Sequence, residues 1–132
     1  MSTTSVVVSV VAAIVVGAAI LVYRAGSEGK PDIMVLSQLR QAGSDLTKRH
    51  DIEFFVYVPT EAAANRVASS LAPQGFAAKV APAAGGKPMW LVLATRSMIP
   101  DVGELVRLRN LLTQLAESEQ GSYDGWGSPV VK

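Results

Sequence analysis

The chain opens with a long apolar run. Residues Ser5 to Tyr23 read SVVVSVVAAIVVGAAILVY, and two serines are the only polar side chains among these 19 residues. A helix of this length spans roughly 28 Å, close to the hydrocarbon thickness of a bilayer. In lipid, a helix satisfies every backbone hydrogen bond within the segment, whereas an isolated strand does not. The pattern therefore predicts an N-terminal transmembrane anchor over residues 1–24.

The charges that flank this run predict its orientation. No Lys or Arg precedes it, whereas Arg24, Lys30 and Arg40 follow it. The positive-inside rule then places the N-terminus outside and the C-terminal domain in the cytoplasm, as a single-pass protein of the cell membrane. A cleaved signal peptide is the rival interpretation. The absence of a basic region before the run, and the length of the run, favour a retained anchor.

Small residues recur along the anchor. Ser9, Ala13 and Gly17 are spaced four apart and so share one face of a helix. Small residues at this spacing let two helix backbones approach closely in lipid. The pattern indicates a homodimer through the anchor, although a run rich in Ala and Val produces such spacing easily.

The rest of the chain predicts one α/β domain over residues 31–132, joined to the anchor by a Gly/Ser-containing linker at 25–30. Helices are indicated by apolar residues at helical spacing and strands by short apolar runs between Gly and Pro residues. The predicted elements are a helix at Pro31–Ala42, a strand at Glu53–Val58, a helix at Thr60–Leu71, a strand at Phe76–Ala81, a strand within Pro88–Thr95, a long helix from Pro100, and a last strand at Ser122–Gly127. The apolar faces predicted to point inward are Ile33, Leu36 and Leu39 in the first helix; Ala64, Val67, Ala68 and Leu71 in the second; and Val102, Leu105, Leu108, Leu112 and Leu115 in the third.

The order of these elements predicts the fold class. A short helix followed by βαββαβ is typical of an α+β, ferredoxin-like sandwich with strand order 4-1-3-2. That order makes the first and third strands central. Those two strands, Glu53–Val58 and the one within Pro88–Thr95, carry apolar residues on both faces, as covered strands do. Lys79 and Pro82 suit the second strand to an edge of the sheet.

Composition removes several classes of function. The chain has no cysteine, which excludes disulfides, thiol catalysis and iron–sulfur clusters, and its formal net charge of +1 is not typical of a strong nucleic-acid binder. His50 is the only histidine, and Ser44, Asp45 and Asp51 lie near it in the sequence. Sequence proximity does not make a catalytic triad, so we interpret His50 as a solvated loop residue. No catalytic residue, cofactor site or metal site is predicted.

Three stretches resemble the bacterial regulator of ribonuclease activity B family, a group of ribonuclease E inhibitor proteins. They are GSDLTKRHDIEFFVYVPTEAAA at Gly43–Ala64, WLVLATRSMIP at Trp90–Pro100 and YDGWGSPV at Tyr123–Val130. The Tyr-Asp-Gly-Trp run after an amphipathic helix is the most specific of the three. The resemblance implies a ferredoxin-like fold and regulation by binding a protein partner, a ribonuclease in this family, without catalysis.

The motif Tyr123, Asp124, Gly125 and Trp126 is the candidate partner-binding site. Tyr and Trp are enriched at interface hot spots. The competing interpretation is structural: Trp126 packs against the helix that follows Pro100, and Asp124 accepts hydrogen bonds in a Gly-flanked turn. We favour the structural role for both residues. The function indicated is a membrane-anchored regulatory or adaptor domain.

An RNA-binding ferredoxin-like module at the membrane is the alternative function. Phe54, Phe55, Tyr57 and Trp90 lie on the two strands that would carry stacking aromatics. No basic stripe accompanies them, and core packing explains them more simply.

Overall fold

The computed structural model describes residues 20–23 and 30–132 of the chain. In chain order its elements are β1 Ile20–Tyr23, α1 Lys30–Gln41, β2 His50–Val58, α2 Glu61–Leu71, β3 Ala77–Pro82, β4 Trp90–Met98, α3 Val102–Ser118 and β5 Ser122–Pro129. Short 3-10 turns at Ala72–Gln74 and Ala84–Gly86 complete the connections on either side of β3. Each predicted helix and strand of the domain is present, with bounds shifted by a few residues.

The strands form one antiparallel sheet in the order β1-β5-β2-β4-β3. The last four of these strands have the predicted 4-1-3-2 arrangement, with β2 and β4 at the centre and β3 at an edge. The strand β1 was not predicted. It adds a fifth strand beside β5, with Ile20 opposite Pro129 and Tyr23 opposite Trp126.

The prediction of a continuous helix from Ser5 to Tyr23 is wrong for its last four residues. Ile20–Tyr23 are paired with β5 as a strand, because an edge strand of the sheet offers them backbone partners that their sequence alone does not reveal. Residues 5–19, which include the predicted dimer face, lie outside the described residues, as does the linker at 25–29. Over residues 20–23 and 30–132, no helix has the length and apolar character needed to cross a membrane.

The three helices cover one face of the sheet and share one core with it. Alternate residues of β2 point into this core and are buried: Ile52, Phe54, Val56 and Val58. They meet buried residues of the helices, among them Leu39, Leu71, Leu105, Leu108 and Leu112. On the opposite face, Phe55, Leu91 and Leu93 are also buried, which confirms that β2 and β4 are apolar and buried on both sides.

Two N-cap residues explain where α2 and α3 begin, and one closely packed glycine marks the turn between α3 and β5. Thr60 caps α2 by accepting a hydrogen bond from the Ala63 amide at 3.1 Å, and Asp101 caps α3 from the Glu104 amide at 2.9 Å. Gly121 lies between α3 and β5. A Cβ there would collide with the Tyr57 carbonyl and the Val58 side chain, so only glycine fits.

Two residues predicted to face the core are instead exposed. Ile33 is 53% exposed and Val102 is 37% exposed, although both have the spacing of an inner stripe. The buried side of α1 consists of Asp32, Val35, Leu36 and Leu39. The buried Asp32 thus takes a place on the inner face of α1, and Ile33 next to it faces outward. The predicted stripe of α2 is confirmed, with Ala64, Val67 and Leu71 buried and Ala68 half-buried against the core.

Candidate functional site

A β-bulge determines how the Tyr-Asp-Gly-Trp motif is presented. Trp126 lies opposite Phe54 of β2 and Tyr123 lies opposite Val56, so β5 advances three residues where β2 advances two. The extra residue places Tyr123 and Trp126 on the same, helix-covered face, whereas a regular strand would place residues three apart on opposite faces. Gly125 has a φ of +101° within the bulge, a conformation that other residues adopt only with strain.

Trp126 is a core residue. Its side chain is 1% exposed and packs in the same cluster as Leu105 and Leu108 of α3. This burial supports the predicted structural role of Trp126. Its indole nitrogen Nε1 donates a hydrogen bond of 2.9 Å to Oδ1 of Asp32, which satisfies the one polar atom of the ring.

Asp32 also forms a buried ion pair with α3. Arg109 Nη1 donates to Asp32 Oδ2 at 2.8 Å, and the side chains are 6% and 0% exposed, respectively. Asp32 lies in the first turn of α1, where the helix dipole favours a negative charge. One carboxylate thus joins three elements: α1, α3 and the bulged part of β5.

Tyr123 lies at the same polar cluster. Its hydroxyl is buried and has no hydrogen-bond partner among the described residues. Burial raises the pKa of Tyr123 well above its ordinary value, and the negative charge of Asp32 raises it further. The phenol is therefore neutral at physiological pH.

The site residues predicted from the sequence separate into two groups. Tyr123 and Trp126 lie with Asp32 and Arg109 on the helix side of the sheet. Trp126 is buried and Tyr123 is half-buried with an enclosed hydroxyl, which favours the structural interpretation. Asp124 is half-buried in the bulge. Binding of a partner by this motif remains a prediction. Asp32 and Arg109 were missed, although an arginine beside the leucines of the apolar stripe in α3 was a usable signal.

The interpretation of His50 as a solvated loop residue is wrong. His50 is 1% exposed and is the first residue of β2. Its Nδ1 donates to the Lys48 carbonyl at 2.8 Å, so its Nε2 accepts from Ser44 Oγ at 2.6 Å. Ser44 Oγ in turn accepts from the Val131 amide at 3.0 Å. This buried chain of hydrogen bonds fastens the C-terminal end of the chain to the α1–β2 loop.

The aromatics considered for RNA stacking lie mostly inside the protein. Phe54 and Phe55 are fully buried, on opposite faces of β2, and Phe54 packs edge-on against Phe76 with ring centroids 5.5 Å apart. Tyr57 and Trp90 are half-buried. Stacking with bases requires exposed ring faces, so the described arrangement favours core packing for these residues.

An exposed apolar groove lies between α1 and the start of α3. Its volume is about 470 Å³, and its lining is mainly apolar: Ile33, Leu36, Ser37, Arg40, Leu46, Pro100 and Val102. Met34 and Ile99, adjacent in sequence to groove residues, are 55% and 42% exposed. Clustered exposed apolar side chains mark interaction surfaces on soluble domains more often than isolated ones do. Ile33 and Val102 thus contribute exposed apolar side chains to this groove.

A charge cluster lies at the first turns of α3. Arg107 Nη2 and Arg96 Nη1 both donate to Glu104 Oε2, at 2.7 and 2.9 Å. The hydrogen bond from Arg107 is the main reason that the pKa of Glu104 falls to about 2, and Arg96 lowers it further. This cluster connects β4 to the first turns of α3, next to Val102.

Comparison with models of protein families shows the family of the chain. The family model described as regulator of ribonuclease activity B matches residues 31–128, which is more than half of the chain. The match includes α1, with Asp32 and the groove residues of that helix, and ends within β5. A search of curated proteins found no match.

Proposed function

Since the chain belongs to the regulator of ribonuclease activity B family, we propose that it is a non-catalytic regulatory domain that binds a ribonuclease of the ribonuclease E type. The observation that supports a binding role is the exposed apolar groove between α1 and α3. A catalytic role has no comparable support, because the Ser44–His50 pair is buried and serves to fasten the chain end.

The groove suggests what the partner presents. Apolar side chains of Ile33 and Val102 suit an apolar face of a helix or loop, and burying such side chains drives association. Arg40 lines the same groove and is exposed. A partner segment that carries apolar residues beside a carboxylate would therefore match the groove in both shape and charge.

Binding to purified ribonuclease E tests this proposal. Ile33→Asp and Val102→Asp each place an unpaired charge in the groove, and we expect each to weaken binding by tenfold or more, which corresponds to about 1.4 kcal/mol. Relief of inhibition in an RNA cleavage assay should follow the loss of binding. Ala62→Asp is the matched control, because Ala62 is exposed on α2, away from the groove.

Two results would overturn different parts of the proposal. If the unmodified chain neither binds ribonuclease E nor changes its cleavage rate, the proposed partner is wrong. If it binds and the groove variants bind equally well, the partner stands and the groove is not the contact surface.

We further propose that the apolar run that begins at Ser5 anchors the domain in the cell membrane, with the domain on the cytoplasmic side. The uncharged run of 19 residues and the basic residues after it support this placement. The chain has no cysteine, so single cysteines report sidedness cleanly. In intact cells, Ser2→Cys should react with an impermeant maleimide and Lys87→Cys should not. The opposite pattern, or a chain that carbonate washing releases from membranes, would contradict the anchor.

A further inference from the structure

The edge strand β1 consists of residues that the sequence also assigns to the membrane. Ile20–Tyr23 pair with Pro129–Trp126 of β5, and they are the last four residues of the apolar run Ser5–Tyr23. Their backbone groups cannot form helix hydrogen bonds and sheet hydrogen bonds at the same time. The two uses of this segment are therefore mutually exclusive.

The length of the apolar run decides whether a transmembrane helix and the strand β1 can form at the same time. Without Ile20–Tyr23, the run has only residues 5–19, and a helix of that length spans about 22 Å, well short of the roughly 30 Å hydrocarbon core. With them it spans about 28 Å. A helix that crosses the bilayer fully thus needs the residues of β1, and insertion removes them from the sheet.

Removing β1 leaves the rest of the domain joined together. α1 lies against β1, but Asp32 also joins α1 to β5 and α3, through hydrogen bonds to Trp126 and Arg109 that do not use β1. The family match begins at residue 31, so β1 lies outside the part of the chain that the family shares. In that shared part, β5 is the outer strand of the sheet.

An outer strand without a neighbour presents unpaired N–H and C=O groups, which bind extended segments of other chains. We propose that the outer edge of β5, at Trp126–Pro129, is a docking site for an extended apolar segment of the protein partner, that β1 occupies this edge in cis, and that membrane insertion of residues 5–23 vacates it. The identity of the partner in this proposal rests on the proposed function. Pro129 lacks an N–H, so the docked segment is short, as β1 is.

A disulfide reports whether β1 is in the sheet. Leu21 and Ser128 are directly opposite partners in the β1–β5 ladder, and the chain contains no other cysteine to compete. The double variant Leu21→Cys/Ser128→Cys should crosslink poorly in nanodiscs of phosphatidylethanolamine and phosphatidylglycerol. The matched control carries four extra leucines after Ser5, which lets the helix span the bilayer without residues 20–23. We expect the control to crosslink at least five times more.

The pair Leu21→Cys/Lys87→Cys gives the background, since these positions are not partners in the sheet. Equal crosslinking of the parent and the lengthened chain in nanodiscs would overturn the proposal, because β1 would then remain in the sheet whatever the length of the run.

A peptide tests the docking site itself. A labelled peptide with the sequence of residues 19–24, AILVYR, should bind the nanodisc-inserted parent chain. The lengthened chain with its disulfide closed should bind the peptide at least tenfold more weakly, and reduction should restore part of the binding. Equal peptide binding by the locked and unlocked chains would reject the β5 edge as the site.

Ribonuclease E, measured beside the peptide, separates this inference from the proposed function. Binding of ribonuclease E without peptide binding rejects the β5 edge and leaves the regulatory function in place. Peptide binding without ribonuclease E binding supports the edge as a docking site, and it rejects ribonuclease E as the partner.

Discussion

The indole of Trp126 donates a 2.9 Å hydrogen bond to Asp32, 94 positions earlier in the chain. Arg109 donates to the other carboxylate oxygen of the same aspartate, so a single buried side chain connects the first helix of the domain to its last helix and last strand. Buried polar groups are costly unless they are paired, and here both carboxylate oxygens of Asp32 accept a hydrogen bond. This arrangement leads to two stability predictions.

Removal of Asp32 should be strongly destabilising. Asp32→Ala removes the carboxylate from the buried ion pair with Arg109, and we expect a loss of about 3–5 kcal/mol in the free energy of unfolding. The double variant Asp32→Leu/Arg109→Leu removes both charges and should lose less, because no buried charge of this ion pair then remains. Denaturant melts measure both, with the exposed Asp51→Ala as control. If the single and double variants lost the same amount, the ion pair would not be the source of the effect.

Two substitutions of Trp126 separate the contribution of its ring to stability from that of its hydrogen bond. Trp126→Ala creates a cavity in the core and should cost about 3–5 kcal/mol. Trp126→Phe keeps much of the ring but removes the donor to Asp32, so we expect a smaller loss of about 1–3 kcal/mol. Urea titration of both variants tests this order. An unchanged midpoint for Trp126→Ala would contradict a core role and return this residue to the candidate binding surface.

Tyr123 should make the domain sensitive to alkali. Its pKa is raised in the folded state by burial, so the unfolded chain ionises first and folding stability falls as the pH rises above about 10. Below that pH the phenol is neutral in both states and adds no pH dependence. Tyr123→Phe removes a buried hydroxyl that lacks a partner among the described residues, so stability at pH 7 should change by less than about 1 kcal/mol.

The check is thermal melting of both proteins between pH 7 and pH 11. The Tyr123→Phe variant should lose less stability than the unmodified chain at the alkaline end. Parallel curves for the two proteins would show that Tyr123 is not the group responsible.

Glu104 should contribute to stability at neutral pH and lose that contribution in acid. Its pKa is lowered from 4.5 to about 2 in the folded state, chiefly by Arg107 and then by Arg96. The contribution is therefore complete above about pH 4.5 and disappears as the pH falls towards 2. Glu104→Gln should cost roughly 0.5–1 kcal/mol at pH 7, as partly exposed ion pairs do.

The difference between this variant and the unmodified chain should shrink steadily between pH 4.5 and pH 2, where the carboxylate becomes protonated. Glu117→Gln, an exposed position on the same helix, is the control. A difference that stays constant over that range would point to packing, and not to charge, as the origin of the effect.

The amino-acid sequence by itself determined the three helices, the strands β2 to β5 and the order of these four strands in the sheet. Local signals were sufficient for the helices, because Thr60 and Asp101 cap them and apolar residues recur at helical spacing. The apolar character of Phe54, Phe55 and the strand that contains Leu93 identified the two central strands. Hydrophobic periodicity and helix caps involve residues only a few positions apart, so they can be recognised from the sequence alone.

Only the tertiary structure decided how distant residues meet. The bulge at Gly125 brings Tyr123 and Trp126 to one face, although regular alternation would separate them. Asp32 is buried because Arg109 and Trp126 are there to pair with it, and this burial rotates α1 so that Ile33 faces the groove. Likewise, Ile20–Tyr23 are a strand because β5 offers an open edge. Each outcome depends on partners far along the chain, and such pairing energies are not encoded in any local pattern.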